Sequence, residues 1–396
     1  MSKLEELIQE LCPDGVEYKK LNTVCKIYDG THSTPQYKNA GVKFVSVQNI
    51  NALYETDKYI SEEDFKKFKI TPRIGDVFMT RIGSIGVCAV VDRDEPLAYY
   101  VSLALLRPDT EVLNSGYLKY IIESTYGRKE LRKRTLVNAV PIKINKDDIG
   151  KIQIPIPPLP VQREIVRILD NFTELTAKLT AELTARKKQY KYYRDQLLIN
   201  NPKSKPMNLG DIGPVSMCKR IMKAETSSSG DVPFYKIGTF GKEADAFISN
   251  ETFEKYKKAY SYPKKGDLLI SAAGTIGRVV VFNGEPSYFQ DSNIVWIAND
   301  ESKVLNTYLY YCYQLQPWKA STGGTISRLY NDNIRKATIP VPSIPEQERV
   351  ISILDRFDAL CNDIASGLPA EIEARQKQYE YYRDKLLDFP EYTKQR

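Results

Sequence analysis

Side chains suited to proton transfer or metal binding are few and scattered in this sequence. His32 is the single histidine, and the six cysteines form no Cys-x-x-Cys pair. Zinc sites and disulfide frameworks depend on cysteine or histidine ligands at short, recurring spacings. The pattern therefore argues against both. It favours reduced thiols in a cytoplasmic protein, most of them small core residues.

Sequence motifs for catalysis on nucleotides or nucleic acids are also absent. The sequence has no GxxxxGKS or GxxxxGKT phosphate loop, no NPPY or DPPY segment of an adenine methyltransferase, and no glycine-rich cofactor loop opening a helix. It has no convincing carboxylate cluster of a nuclease. With one histidine and no paired-carboxylate motif, the sequence predicts a binding protein rather than an enzyme.

The basic residues of the sequence could bind phosphate groups. The net charge is +7 and the pI is about 8.8, a moderate lean toward polyanions. Basic residues cluster near expected loops in both halves, at 128–134, 219–223 and 255–258. A single cluster is often only a solvated face, but clusters in both halves favour nucleic-acid binding.

Short loops add polar candidates to these cations. The segment DGTHSTP at 29–35 holds the only histidine, for which a satisfied loop position is the default and a DNA contact the alternative. Two glycine turns, 83–86 and 274–277, permit close approach of the backbone. The candidate DNA contacts are Thr31, His32, Ser33, Arg81, Ser84, Arg132, Arg134, Lys143, Lys219, Arg220, Thr275, Arg278 and Arg328.

The sequence contains an internal duplication. RKKQYKYYRDQLL at 186–198 and RQKQYEYYRDKLL at 375–387 share ten of thirteen positions. IPIPPLPVQREIVRILDNF at 154–172 matches IPVPSIPEQERVISILDRF at 339–357, and GDVFMTRIGSIG at 75–86 matches GDLLISAAGTIG at 266–277. The globular parts diverge while these segments stay alike. This predicts one architecture and one docking surface with two binding specificities.

Each repeat predicts a long helix after a proline-rich hinge, because Pro160 and Pro345 stand where proline is tolerated at a helix start. Apolar residues follow at the three-four spacing of a coiled-coil seam. The first seam includes Ile165, Ile168, Phe172, Leu175, Leu179, Leu183, Tyr190, Tyr193 and Leu197; the second includes Val350, Ile353, Phe357, Leu360, Ile364, Tyr379, Tyr382 and Leu386. We expect the tyrosines to be core residues, with a partner-protein surface as the alternative.

The length of the first helix explains why it needs a partner. About 39 residues at about 1.5 Å each would extend close to 60 Å, and its apolar seam has to be covered. The other copy is the obvious partner. If the two helices pack antiparallel, the globular parts lie at opposite ends and the whole has an approximate two-fold axis. Gly367 and Pro369 should interrupt or kink the second helix.

The globular parts read as mixtures of strands and helices. VKFVSVQNI, GDVFMTRIG, GVCAVV and VSLALL predict strands; LNSGYLKYIIEST and LNTYLYYCYQL predict helices, the first beginning near Asn114 or Ser115. At 396 residues the chain is long enough for two or more domains. No apolar run approaches the length of a membrane span, and the acidic opening does not read as a secretory signal.

Taken together, the arrangement resembles the specificity subunit of type I restriction–modification systems over essentially the whole chain. The motifs that carry the resemblance are PPLPVQREIVRILD, RKKQYKYYRDQLL, their second copies, the TAEL-like repeat in TAKLTAEL and the segment LCPDGVEYKKL. The resemblance implies an α+β fold with two mixed α/β target-recognition domains, at 1–158 and 201–343. Helical regions at 159–200 and 344–390 would form the antiparallel coiled coil.

The resemblance also implies partners. Each domain would read one half of a bipartite double-stranded DNA site. The helices would bind two copies of the methyltransferase subunit, which the restriction and translocase subunit joins. S-adenosylmethionine, ATP and Mg would belong to those partners, with no cofactor on this chain and no membrane contact. Two alternatives stay open: a specificity subunit of a related defence system without a translocating nuclease, and a coiled-coil scaffold with no DNA role.

Overall fold

The computed structural model describes residues 2–319, 328–363 and 365–392. The chain folds into two compact units. Unit 1 comprises Met1–Ala181 and Glu371–Arg396, and unit 2 comprises Glu182–Ala370. Each unit combines one globular part with segments of the long helices, and each globular part mixes strands and helices, as the sequence predicted.

The elements of unit 1 outside the long helices are short. Its strands are β1 (Glu17–Lys20), β2 (Cys25–Asp29), β3 (Val42–Val45), β4 (Tyr59–Ile60), β5 (Val77–Thr80), β6 (Cys88–Val90), β7 (Leu97–Tyr99), β8 (Leu103–Pro108) and β9 (Gln153–Ile156). Its helices are α1 (Lys3–Leu11), α2 (Leu21–Val24), α3 (Glu62–Phe65), α4 (Ser115–Glu123), α5 (Thr125–Arg132) and α6 (Lys146–Gly150), with a 3-10 turn at Val47–Asn49.

The long helices and unit 2 complete the chain. The first long helix is α7 (Leu159–Leu198). The strands of unit 2 are β10 (Lys205–Asn208), β11 (Val215–Ser216), β12 (Val232–Tyr235), β13 (Phe247–Ile248), β14 (Leu268–Ser271), β15 (Val279–Val281), β16 (Tyr288–Phe289), β17 (Ile294–Ile297) and β18 (Thr338–Val341). Its helices are α8 (Asn250–Ala259), α9 (Asn306–Gln314), α10 (Asn331–Arg335) and α11 (Ile344–Asn362), with 3-10 turns at Leu209–Asp211 and Lys223–Glu225; α12 (Leu368–Leu386) follows.

Corresponding sheets occur in the two units. The four-stranded sheet has the order β2-β8-β5-β6 in unit 1 and β11-β17-β14-β15 in unit 2. A three-stranded sheet, β4-β3-β7 or β13-β12-β16, contains one parallel pair in each unit. An antiparallel pair, β1 with β9 or β10 with β18, lies just before the next long helix. The duplication seen in the sequence is therefore a duplication of topology.

The central strands explain why the sequence shows continuous apolar runs rather than alternation. All four residues of β5 and all four of β14 are buried. A strand covered on both faces has no solvent-facing positions, so alternation disappears. The strands predicted from the four segments of the first half are present. Helix α4 begins at Ser115 with the Asn114 side chain accepting a hydrogen bond from the Tyr117 amide at 3.0 Å, as expected.

The long helices follow the predicted pattern, including the interruption. Helix α7 spans 40 residues, or about 60 Å. In the second helical region, helix α11 ends at Asn362 and helix α12 begins at Leu368. A side chain at Gly367 would lie 2.5 Å from the carbonyl oxygen of Ala359, so the backbone passes where only glycine fits. Ile364, one of the expected seam residues, lies outside the described residues.

Each tyrosine segment packs in the unit that holds the beginning of the other long helical region. In unit 1, the Phe172 ring of α7 stacks on Tyr382 of α12 with ring centroids 5.5 Å apart. In unit 2, Tyr193 of α7 stacks on Phe357 of α11 at 5.8 Å. These are corresponding residues of the two repeats, so the same aromatic contact is made twice.

The direction of the helices follows from the charged residues that act on Cys361 in unit 2. Burial raises the pKa of Cys361, and Lys187 and Arg186 of α7 oppose that rise. Phe357 therefore lies beside Tyr193, while Cys361, further along α11, lies near residues that come earlier in α7. The two helices run antiparallel, and the coiled-coil prediction is confirmed.

The residues of the expected seam differ in how far they are buried. Tyr190 and Tyr379 are buried in the core of their units, and the Tyr190 hydroxyl donates to Gln314 Oε1 at 3.1 Å. Leu179 and Leu183 are half-buried. Leu175 and Leu360, which occupy corresponding seam positions, are exposed. The expectation that every seam residue would be covered is wrong for these two leucines and for Tyr193 and Tyr382, which are also exposed. A pair of helices covers only a narrow stripe of each.

A buried glutamine joins each globular part to its helix. Gln162 Oε1 accepts a hydrogen bond from the Asn114 amide at 2.8 Å, and its Nε2 donates to the carbonyls of Val112 (2.9 Å) and Pro157 (2.7 Å). In unit 2, Gln347 makes the corresponding three bonds, with the Leu305 amide and the Lys303 and Pro342 carbonyls. Both glutamine side chains are fully buried, and each satisfies three backbone groups of the loops around it.

Three further features concern cysteines, possible metal ligands and helix character. All six cysteines are buried and unpaired with one another. Within the described ranges, no cluster of three or more histidine, cysteine, aspartate or glutamate side chains could hold a metal ion. None of the described helices combines the length and the apolar character that a membrane crossing requires.

Candidate nucleic-acid interface

Arg81 organises three loops of unit 1. It follows β5 directly, and only 7% of the residue is exposed. Its guanidinium pairs with Asp29 at the end of β2, while its Nε donates to the Ile144 carbonyl at 3.2 Å. Its backbone amide donates to the Ser102 carbonyl at 3.0 Å. The candidate segments around residues 29, 81 and 144 are thereby brought together. The placement favours a positioning role for Arg81, with the loops above it as the exposed surface.

The glycine turn beside Arg81 is held by a hydroxyl group. The Thr80 hydroxyl accepts from the Val87 amide at 3.0 Å and donates to the Ser84 carbonyl. Gly86 has φ +87°, and a side chain there would meet Leu131 Cδ1 at 2.5 Å. The close approach expected of this turn is therefore to the protein's own α5. Ser84 lies exposed at the tip.

The same turn recurs in unit 2. The Ser271 hydroxyl accepts from the Arg278 amide at 2.9 Å and donates to the Thr275 carbonyl. Gly277 has φ +78°, and a side chain there would meet Gln316 Oε1 at 2.1 Å. Thr275 is exposed, in the position that Ser84 has in unit 1. Each unit therefore presents one exposed hydroxyl residue, Ser84 or Thr275, at the same position of the same kind of turn, although the other loops differ.

The segment at residues 29–36 forms the wall of an open cavity. Thr31 is fixed by its backbone, since its amide donates to the Tyr99 carbonyl at 3.1 Å and its carbonyl accepts from the Val101 amide at 3.0 Å. His32 and Ser33 are exposed. Thr31 and Ser33, with Gln36, Lys67 and Lys69 among others, line a cavity of about 740 Å³. Two sequence-predicted candidates, Thr31 and Ser33, therefore line one cavity.

The basic cluster after α5 divides into paired and unpaired cations. Lys133 and Arg134 both pair with the buried carboxylate of Glu130, at 2.5 and 2.8 Å. Burial alone would raise the pKa of Glu130, but these two cations outweigh it, and its pKa is lowered. Arg132 and Lys143 are exposed, and no ion pair involves either of them within the described part of the chain. These two are the better phosphate candidates, whereas Arg134 has a structural partner.

The candidates of unit 2 surround another short turn. Arg220 pairs with Asp291 at 3.0 Å, and Arg328 donates to the Ser292 carbonyl at 3.0 Å and to Asn293 Oδ1 at 3.2 Å. Ser292 has φ +54°, so the turn is tight. The position that corresponds to Arg81 is alanine, and Arg328 supplies the guanidinium from a different part of the chain.

The two remaining candidates of unit 2 differ in exposure. Arg278 donates to the Phe240 carbonyl at 2.7 Å and is half-buried. Lys219 is exposed, with its ammonium 5.0 Å from the centroid of the Tyr260 ring. The ammonium group makes no ion pair within the described residues, so it is open to a polyanion. Lys219 and Thr275 are therefore the more accessible candidates in this unit.

Sequence reasoning missed two kinds of residue. Asp29 and Asp291 pair with the arginines Arg81 and Arg220, and no local pattern distinguishes these aspartates from other loop aspartates. Gln162 and Gln347 had a usable signal, because each follows a helix-start proline by two residues in both repeats. A polar residue kept at the same place in two divergent copies indicates a shared structural bond.

The fold and the surface together define a class of protein. Two α/β units carry exposed basic and hydroxyl loops of different composition, on a frame of repeated antiparallel helices. Residues 13–186 and 201–374 each match the family described as the type I restriction modification DNA specificity domain. The chain belongs to this family, which confirms the resemblance found in the sequence.

Individual relatives agree with the family match. A Haemophilus influenzae protein named as a type I restriction enzyme specificity subunit is 58% identical over 255 residues, covering 62% of this chain and 66% of that protein. The specificity subunit of the Escherichia coli type I restriction enzymes EcoR124I and EcoR124II is 36% identical over 264 residues, covering 61% of this chain and 63% of that protein. The alignments thus span slightly less than two thirds of these curated relatives.

A solved structure shares the fold. A chain from work on complex assembly and conformational transition of the type I R-M system superposes with a TM-score of 0.61 at 16% identity, and the match covers 96% of this chain and 98% of that one. At this identity the likeness concerns the fold alone.

Proposed function

We propose that this chain reads a bipartite, asymmetric site in double-stranded DNA, one half-site per unit, and docks two adenine methyltransferase subunits. The observation that carries the proposal is the combination of identical and divergent parts. The glycine turns and aromatic helix contacts are the same in both units, while the residues around them differ. A frame used twice with unlike loops suits a site whose halves have unlike sequences.

Methyltransferase docking has its own support on the helices. Tyr192 is 60% exposed on the α7 segment of unit 2, and the corresponding Tyr381 is 62% exposed on the α12 segment of unit 1. Each packs edge-on against the next tyrosine, with centroids 5.5 and 5.3 Å apart. Leu360 and Leu175 add one exposed leucine to each unit. A rigid apolar feature that occurs once in each unit suits a partner that binds twice.

The remaining roles belong to the partner subunits in this proposal. The restriction and translocase subunit joins through the methyltransferases. S-adenosylmethionine, ATP and Mg are bound by those partners, and this chain acts without catalysis in the cytoplasm. The absence of nucleotide-binding and methyltransferase motifs from the full sequence supports this division.

Methylation sequencing of the host genome, with and without the gene, tests the reading function. We expect adenine methylation at one two-part motif to disappear when the gene is removed. An unchanged methylome, together with no selection of any sequence from a randomised duplex pool, would leave the coiled-coil scaffold as the better account.

The docking function has a stoichiometric test. Tyr192→Ser and Tyr381→Ser should each reduce the complex from two methyltransferase subunits to one, measured by native mass spectrometry. Tyr260→Ser, an exposed tyrosine on the globular part of unit 2, is the matched control and should retain two. Two bound subunits in both helix variants would contradict the docking proposal.

A further inference from the structure

The segment at residues 135–143 of unit 1, here called the apolar hairpin, presents hydrophobic side chains to solvent. Val140 is 100% exposed and Val137 is 59% exposed. Leu136 and Ile142, at the base, are also exposed. Isolated exposed apolar residues are common, but several in one short segment mark an interaction site.

Backbone hydrogen bonds fix the apolar hairpin to the candidate interface. The Leu136 amide donates to the Lys143 carbonyl at 2.8 Å, which closes the hairpin. The Gly83 amide donates to the Ile142 carbonyl at 3.0 Å, and the Ile144 amide donates to the Arg81 carbonyl at 3.0 Å. The hairpin therefore projects beside the exposed tip of the glycine turn.

Charge indicates the kind of partner. Residues 132–146 read RKRTLVNAVPIKINK, with five basic residues and no acidic one. Arg132, Lys143 and Lys146 are exposed. A hydrophobic protein interface is usually depleted of charge at its core, whereas DNA contacts pair cations on phosphates with apolar contacts on base edges. The flanking cations favour nucleic acid over a protein partner.

The geometry points to the apolar hairpin as a reader of thymine methyl groups: we infer that it enters the major groove and that Val140 contacts the C5 methyl of a thymine. The major groove admits a two-stranded ribbon, and the thymine methyl is the one apolar group on its floor. Arg132 and Lys143 then lie toward the phosphates. The inference rests on the proposed DNA-reading function and adds the chemical group that is read.

The test uses the complex of this chain with its methyltransferase subunit and the site found by methylation sequencing. Each thymine of the site is replaced in turn by deoxyuridine, which lacks only the C5 methyl group. Affinity should fall about fourfold at one or more thymines of a single half-site, the effect of losing one buried methyl group. Val140→Thr, which is nearly isosteric but replaces a methyl by a hydroxyl, should reduce that discrimination.

A matched control lies in unit 2. Val281 is exposed on β15, and Val281→Thr should retain the full discrimination between thymine and deoxyuridine. Specific binding that is insensitive to every thymine replacement would overturn the inference. So would a Val140→Thr complex that discriminates like the parent, or one that loses only methyltransferase assembly, which would identify a protein contact. Failure of the proposed function looks different, because the parent complex would then select no DNA sequence at all.

Discussion

Replacing Gln162 by leucine tests whether the buried glutamine joins the first globular part to α7. Leucine has a similar volume, so the change removes hydrogen bonds with little change in packing. One amide N–H and two carbonyl groups lose partners at 2.7–2.9 Å around a fully buried side chain. Each group left without a hydrogen-bond partner lowers the free energy of unfolding by about 1–3 kcal/mol, and burial of the more apolar leucine offsets part of this loss. We expect a loss of about 4 kcal/mol.

Thermal unfolding and hydrogen exchange measure this loss in complementary ways. For 150–250 residues, about 1 kcal/mol shifts the melting temperature by about 2–4 °C, so the transition of unit 1 should fall by about 8–16 °C. Exchange of the Asn114 amide, which donates to Gln162, should accelerate. Gln347→Leu should affect the Leu305 amide of unit 2 in the same way and leave Asn114 protected.

Gln196→Leu provides the control on the same helix, because Gln196 is exposed on α7. It should melt within about 1 °C of the parent, since exposed substitutions change stability little. The reasoning is refuted if Gln162→Leu also melts within about 1 °C of the parent and Asn114 keeps its protection. The three hydrogen bonds would then contribute no more to stability than the hydrogen bonds that the same groups form with water in the unfolded chain.

Three further perturbations follow from the structure. Tyr120→Phe removes the hydroxyl that donates to Asp170 Oδ1 at 2.6 Å, and should lower the melting temperature by about 2–4 °C, equivalent to about 1 kcal/mol; no shift would show the bond to be idle. The hydrogen bond from Arg349 is the main reason that the pKa of Glu346 is lowered from an ordinary 4.5 to about 2. The ionised Glu346 therefore stabilises the fold above pH 4.5, and this stabilisation is lost as the pH falls toward 2. Melting of Glu346→Gln should therefore lie below the parent at pH 6 and converge with it near pH 2, and parallel curves would contradict this. Arg132→Gln should reduce the slope of log affinity against log salt by about 0.9 if Arg132 contacts one phosphate, and an unchanged slope would exclude that contact.

Short-range patterns explain why much of the architecture could be predicted. The continuous apolar runs of β5 and β14, the proline at the start of each long helical region and the break near Gly367 all act over a few residues. The duplication then supplied a long-range inference, because two matching amphipathic helices are natural partners. The pattern predicted their pairing, and the family resemblance implied the antiparallel direction.

The candidate surface was only partly predictable. The exposed Ser84 and Thr275 follow from matching glycine turns, because φ beyond +60° restricts both turns to glycine. The role of Arg81 could not be predicted from a local pattern, since its partners Asp29 and Ile144 lie 52 and 63 positions away in the chain. Which cations stay free also depended on tertiary contacts, since Arg134 is bound by Glu130 and Arg132 is not.

The sequence by itself determined the repeated elements and their order, because helix starts, buried strands and glycine turns are encoded by neighbouring residues. Only the tertiary structure decided how burial divides the tyrosine segment. Tyr190 enters the core of unit 2 while Tyr192 stays exposed, although both belong to one YKYY segment of one helix. Helical periodicity places side chains on faces, but the long-range approach of Gln314 and Phe357 determines which face is covered.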